Sequence, residues 1–242
     1  MITPVILVES EKITNAQRLI TDTMELVCTL DCHAPIIFCH SKFHRAITRV
    51  VEQLNIDAII LCAPSERGSA TALTCAAQMS LTLQDTATLA IFHHWQPIEE
   101  FDAFEHSLCL GAQLTNENYL VTIDNPVNCQ LFAQPAQINI WMINAKLLVD
   151  IMKNNFPTTL YNCQKAIHSE PFSPNSKTLR LASQYFSACP SMIVDNAIFP
   201  FVTQRVDIPL TARWNTFITD NCLYHQLSTL FTTNKRQSDQ GK

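Results

Sequence analysis

Glycine is nearly missing from this sequence. Its 242 residues include three, Gly68, Gly111 and Gly241, against a usual share of roughly seven per cent. Glycine gives a backbone positive φ and lets it approach a ligand closely. A loop wrapped around nucleotide phosphates depends on that freedom, so the shortage argues against a glycine-rich phosphate cradle. Charge is sparse too, at 15% of residues with a formal net charge of −5. No Lys/Arg block or stripe is present to lie against nucleic acid, which sets that class of partner aside. No apolar run approaches a membrane span, and the first residues lack a basic segment followed by an apolar one. The expectation is a cytoplasmic protein with no membrane span.

The cysteines number ten. They are scattered, never spaced C-x-x-C, and several close apolar runs ("IIFC", "IILC"). They read as buried, reduced thiols acting as small hydrophobes rather than as a disulfide framework. The length allows one large domain or two small ones, with a substantial core.

Strand-like and helix-like runs alternate along the chain. "PVILV" precedes "NAQRLITDTMELVCTL", where Ala16, Leu19, Ile20, Val27 and Leu30 share a helical face. "PIIFC" precedes "SKFHRAITRVVEQLN", whose stripe is Phe43, Ile47, Val50, Val51 and Leu54, with Ser41 as the N-cap. "AIILC" leads through "APSERG" into "SATALTCAAQMSLTL", "TLAIF" leads through "HHWQP" into "IEEFDAFEHSLCLGAQL", and "YLVTI" comes next. This pattern predicts right-handed βαβ crossovers and a mostly parallel central sheet flanked by helices, a Rossmann-like α/β fold. Later, "CQLFA" and "INIWMI" read as strands and "NAKLLVDIMKNN" as a helix. "SEPFSPNSK" reads as a turn-rich connection and "TLRLASQYFSAC" as a helix. "FVTQRVDIPL" and "RWNTFI" read as strands before a closing helix, "CLYHQLSTLF". Residues 1–232 read as one domain and 233–242 as a flexible tail.

Several groups could carry chemistry. His40 and His44, spaced i, i+4 beside Cys39, would present two imidazoles on one helix face. Zinc needs three or four convergent ligands, and no second pair has ligand spacing, so polar helix-start residues are the plainer reading. "HHW", His93 to Trp95, follows a strand at the end where open α/β sheets bind ligands, and reads as a functional histidine or as an anchored loop. Arg67, Gly68 and Ser69 stand between a strand and a helix start, where backbone N–H groups attract anions; Ser69 serves equally as an N-cap. No G-x-S-x-G elbow marks a hydrolase, and Asp124, Asp195, Asp207 and Asp220 stand singly.

In order and rough spacing, these segments resemble the nucleotidyltransferase domain of bacterial mannose-1-phosphate guanylyltransferases (GDP-mannose pyrophosphorylases). The strand of the family opening I-P-V-I-L-S-G-G-S-G-T-R-L resembles Thr3-Pro4-Val5-Ile6-Leu7-Val8. Its E-P-x-G-R-N-T-A-P-A block resembles Ala63 to Ala72, its D-x-I-D-Y-A-V-M-E stretch Met192 to Ile198, and its G-W-S-D-V-G-S-W block Arg213 to Ile218. The resemblance implies a nucleotide-diphospho-sugar transferase fold, GTP and GDP-mannose as ligands, and Mg²⁺ if the chain is active. It places phosphate or nucleotide binding on Lys12, Arg67, Gly68 and Ser69, and the sugar or metal side on His94 and Asp195.

The departures fall on the chemistry. Where the family has its glycine loop, this chain has Glu9, Ser10, Glu11 and Lys12, and carboxylates beside a triphosphate are unfavourable without a cation. His94 and Thr216 stand where the family has metal-binding aspartates, and imidazole and hydroxyl are poor magnesium ligands. The P-K-Q-F lysine has no counterpart, and Pro126 to Gln134 is all that remains of the sugar-binding motifs. The chain is thus read as a degenerate relative without a catalytic residue. Its implied role is regulatory, partner-binding or residual sugar-nucleotide binding, with a protein partner or a second copy of itself. The alternatives are an active transferase with rearranged ligands, drawing on Glu9, Glu11 or Asp195 for metal and on Lys12 and Arg67 for phosphate, and an interaction module without nucleotide.

Overall fold

A computed structural model describes residues 1–8, 16–85, 87–92, 101–124, 140–169 and 177–209. The expected strand at 129–133, the strand and closing helix beyond residue 210, and the tail lie outside them.

The described residues form one eight-stranded sheet in the order β7-β3-β2-β1-β4-β6-β5-β8. Its strands are β1 (Ile2–Val8), β2 (Ile36–His40), β3 (Ile59–Ala63), β4 (Thr88–Phe92), β5 (Leu120–Asp124), β6 (Ile140–Asn144), β7 (Thr178–Arg180) and β8 (Arg205–Pro209). The helices are α1 (Ala16–Thr29), α2 (His44–Gln53), α3 (Gly68–Leu83), α4 (Phe101–Asn116), α5 (Ala145–Asn155), α6 (Pro157–His168) and two of four residues, α7 (Ser183–Phe186) and α8 (Val194–Ala197). β3 and β4 are buried at every position, as strands covered on both faces must be.

Alternation along β1 divides the core. Val5 and Leu7 join the layer containing α3, α5 and α6. Ile2 and Ile6 point the other way, to the residues of α1, α2 and α4. Helix α2 follows its sequence stripe, burying Ile47, Val50 and Val51. Helix α3 is different, because every residue from Ala70 to Ser80 is buried. It is enclosed by the sheet on one side and by α5 and α6 on the other, and a helix enclosed all round has no polar face. Two of its buried hydroxyls are satisfied within the helix, Thr74 donating to the Ala70 carbonyl at 2.8 Å and Ser80 to that of Ala77 at 2.9 Å.

Several sequence expectations need correction. The sheet is mostly parallel, as expected, but has an antiparallel part: β6 runs antiparallel to both β4 and β5, while the other neighbouring pairs are parallel. "TLRLASQYFSAC" is not one helix. Its first three residues form β7, paired to β3, because β3 would otherwise bury an unpaired backbone edge. Only Ser183–Phe186 turns helical. Residues 157–168, unassigned from sequence, form α6 with Pro157 in its first turn, where the missing N–H is no loss. Ser41 is not the N-cap of α2: Phe43 holds that position without a side-chain hydrogen bond, and His40 caps the 3₁₀ turn over Ser41–Phe43 that precedes it, its Nδ1 accepting the Lys42 N–H.

The start of α5 gives a direct test of capping. Asn144 Oδ1 accepts the backbone N–H groups of Lys146 at 2.9 Å and Leu147 at 3.4 Å. Asn144→Ala should cost about 1 kcal/mol, read as a lower urea midpoint with an unchanged slope.

Candidate functional site

Strands β1, β2 and β3 progress outward in one direction, whereas β4 returns to the other side of β1. The reversal makes a topological switch point at the carboxyl ends of β1 and β4, where open α/β sheets form ligand crevices. The connections leaving it are residues 9–15 and 93–100. Lys12, Glu9, Glu11 and His94 belong to them and, like Thr216, lie outside the described residues.

Arg67, Gly68, Ser69 and Asp195 are described, and the fold brings them together. Gly68 is the first residue of α3 and turns left-handed, with φ of 75°. That turn admits the chain around Met192. Met192 donates its N–H to the Arg67 carbonyl and accepts the Ala70 N–H, both at 3.0 Å. Val194 donates its N–H to Ser69 Oγ at 3.2 Å. A little upstream, Thr71 donates its hydroxyl to the Pro190 carbonyl at 3.3 Å, and the Ser65 and Ser187 hydroxyls meet at 3.3 Å. Residues 187–194 therefore run as a strap along the start of α3. A Cβ on Gly68 would overlap the Met192 carbonyl.

The strap decides what this helix start can do. One of its inward N–H groups, that of Ala70, is spent on Met192, which weakens it as an anion site relative to an open N-terminus. Ser69 caps the strap rather than its own helix. Its oxygen accepts one hydrogen bond, which leaves the hydroxyl proton to donate elsewhere. Ser69→Ala should cost about 1 kcal/mol, because Val194 loses its acceptor, and a lowered melting temperature would show it.

Arg67 occupies the N-cap position of α3, with its Nε buried and without a hydrogen-bond partner among the described residues. Its charge reaches Cys189 in the strap. There the hydrogen bond with Cys163 and burial raise the thiol pKa, and Arg67 opposes them. Asp195 is exposed at the start of α8. Nearby, Lys42 and Glu66 make an exposed ion pair at 3.3 Å, worth little in water. The charges around this start are thus mixed in sign and make no strong anion funnel.

For a divalent cation the described residues here offer Asp195 and Glu66, too few oxygens for Mg²⁺. Among the described residues, no group of three His, Cys, Asp or Glu side chains could hold a metal. The histidine pair is drawn into separate contacts. His40 Nδ1 accepts from Lys42, and His44 Nε2 lies 3.3 Å from Thr178 Oγ1. Burial, then Arg180 and Arg45, lower the His44 pKa, so the ring favours its neutral form.

Sequence reasoning missed Met192 as a contact of Gly68, since a backbone pairing across more than a hundred residues leaves no local signal. It also treated all the cysteines alike. Cys39, Cys62, Cys75, Cys163 and Cys189 are buried, but Cys28 and Cys109 are exposed; Cys129 and Cys222 lie outside the described residues.

No family model and no curated protein matches the chain. Solved structures do. A mannose-6-phosphate isomerase from Helicobacter pylori superposes with a TM-score of 0.69 at 18% identity, over 89% of this chain and 100% of that one. A mannose-1-phosphate geranyltransferase from Thermus thermophilus gives 0.62 at 10% identity, over 88% and 75%. HddC from Yersinia pseudotuberculosis, complexed with GMP-PN, gives 0.53 at 9%, over 89% and 93%. The chain shares its fold with these structures. At such identities the likeness concerns the fold alone. Among the described residues, no helix is long and apolar enough to cross a membrane.

Proposed function

We propose that this chain is a degenerate relative of the mannose-1-phosphate guanylyltransferases that binds a sugar nucleotide without turning it over, and acts by regulating or engaging a partner. One observation carries the reading. The connection that leaves β1 at the switch point is Glu9-Ser10-Glu11-Lys12-Ile13-Thr14-Asn15, with two carboxylates and no glycine. Nucleotidyl transfer rests on positioning and on neutralising phosphate charge, and this segment is built for neither. Glu66 and Asp195, the described carboxylates near the start of α3, add no set of magnesium ligands. Arg67 is the cation assigned to the ligand's phosphates, with Gly68 and Ser69 holding the turn beside it.

Calorimetric titration with GDP-mannose, with and without Mg²⁺, tests the binding, and a pyrophosphate-release assay with GTP and mannose 1-phosphate tests the chemistry. The expected result is saturable heat, weakened at least roughly tenfold by Arg67→Ala, the loss of about one charge-assisted contact, and no release of pyrophosphate. Magnesium-dependent turnover would make the chain an active transferase. No heat and an unchanged melting temperature would make it an interaction module.

A further inference from the structure

The runs "IIFC" and "IILC" end two neighbouring strands, and the parallel register of β2 and β3 sets Cys39 beside Cys62. Neighbouring strands lie about 4.8 Å apart, within the Cα separation of about 4.4–6.8 Å that a disulfide spans. On the other side of Cys62, the register of β7 sets Arg180 opposite it. Arg180 is exposed, whereas Cys62 is 3% and Cys39 0% exposed. A thiol flanked in one row by a second thiol and a guanidinium has both a resolving partner and a cation to favour its thiolate.

We propose that Cys39 and Cys62 are a peroxide-responsive dithiol, with Cys62 the attacking sulfur and Cys39 the resolving one. The Cys62 thiolate attacks one oxygen of hydrogen peroxide and the O–O bond breaks. The departing hydroxide takes a proton to become water, and Cys62 is left as a sulfenic acid. Cys39 then gives up its proton as its sulfur attacks that of Cys62. The S–O bond breaks, a second water leaves, and a disulfide remains. Both thiols have been oxidised by one electron each, and the peroxide reduced by two.

The order of roles follows from the surroundings. The hydrogen bond from Cys39, and then Arg180, hold the Cys62 thiol below the ordinary range against its burial, and the same pairing with burial raises Cys39. Another close pair, Cys163 and Cys189 at 4.0 Å, has both thiols raised and serves as the internal comparison. Peroxide is nearly water-sized. Its route to Cys62 is past β7, a three-residue edge strand with few hydrogen bonds to break on opening.

The full chain is treated with hydrogen peroxide, alkylated and mapped by mass spectrometry. A Cys39–Cys62 linked peptide should appear first and vanish on adding dithiothreitol. Cys39→Ser should leave Cys62 as a sulfenic acid that dimedone traps. Arg180→Gln, a change at an exposed position, should slow linkage roughly three- to tenfold, since thiolate lost on raising a pKa is partly offset by greater nucleophilicity. Oxidation of Cys28, Cys109 or the Cys163–Cys189 pair with Cys62 still alkylated would overturn the proposal. So would linkage at an unchanged rate in Arg180→Gln.

Discussion

Gly68→Ala should lower the melting temperature by about 6–12 °C and abolish sugar-nucleotide binding. The left-handed φ of 75° costs an alanine roughly 1–2 kcal/mol. The new Cβ also overlaps a backbone carbonyl, that of Met192, which cannot rotate away as a side chain would. Overpacking of that kind adds roughly 1–3 kcal/mol. Together these are about 3 kcal/mol, and a chain of this size loses roughly 2–4 °C per kcal/mol. The strap must shift, and with it the contacts of Met192 to Arg67 and Ala70 and of Val194 to Ser69. Gly111 is the comparison. It lies inside α4, and its Cβ would meet the Met142 side chain, a flexible group. Gly111→Ala should therefore be near neutral, the helix gaining about 1 kcal/mol while Met142 moves aside. Thermal melts of the two variants side by side check the pair; equal losses would mean that Gly68 is not the hinge of this site.

Phe186→Ala should be as damaging or worse, at about 3–5 kcal/mol. Phe186 is fully buried, and its ring centroid lies 5.9 Å from that of Phe38 on β2. It ends the short helix α7, immediately before the strap. Removing it leaves a cavity under the 187–194 segment, so denaturant stability should fall, and hydrogen exchange at Met192 and Val194 should rise beyond what global destabilisation explains. Phe104→Ala, equally buried but on α4, should cost a similar amount without singling out those two amides. Uniform loss of protection in both variants would separate the strap from Phe186.

These effects converge on one locus, and they bear on the proposed binding role. The start of α3 is held from outside by a segment of low regular structure, pinned by five backbone or hydroxyl hydrogen bonds. If Arg67 holds the ligand's phosphates, as proposed, occupancy there and the position of the strap are linked through Met192. A partner that reads the strap would sense the ligand.

The amino-acid sequence determined the alternation of β and α segments, the buried strands of the central sheet and the inward stripe of α2. Those are local signals, carried by side-chain periodicity within a few residues. It also located the Arg67-Gly68-Ser69 turn, because a glycine between a strand and a helix start is conspicuous where glycine is scarce. The antiparallel direction of β6 was not legible. β6 has the same apolar run whether it pairs parallel or antiparallel, and only its place between β4 and β5 decides. Nor was the break at 178–186, where pairing with β3 outweighs a helical pattern over twelve residues. The meeting of Gly68 with Met192, of Ser69 with Val194, and of Cys39 with Cys62 and Arg180 was decided by the tertiary structure alone. Each joins distant segments through register or backbone hydrogen bonds, and neither leaves a periodic trace in the sequence.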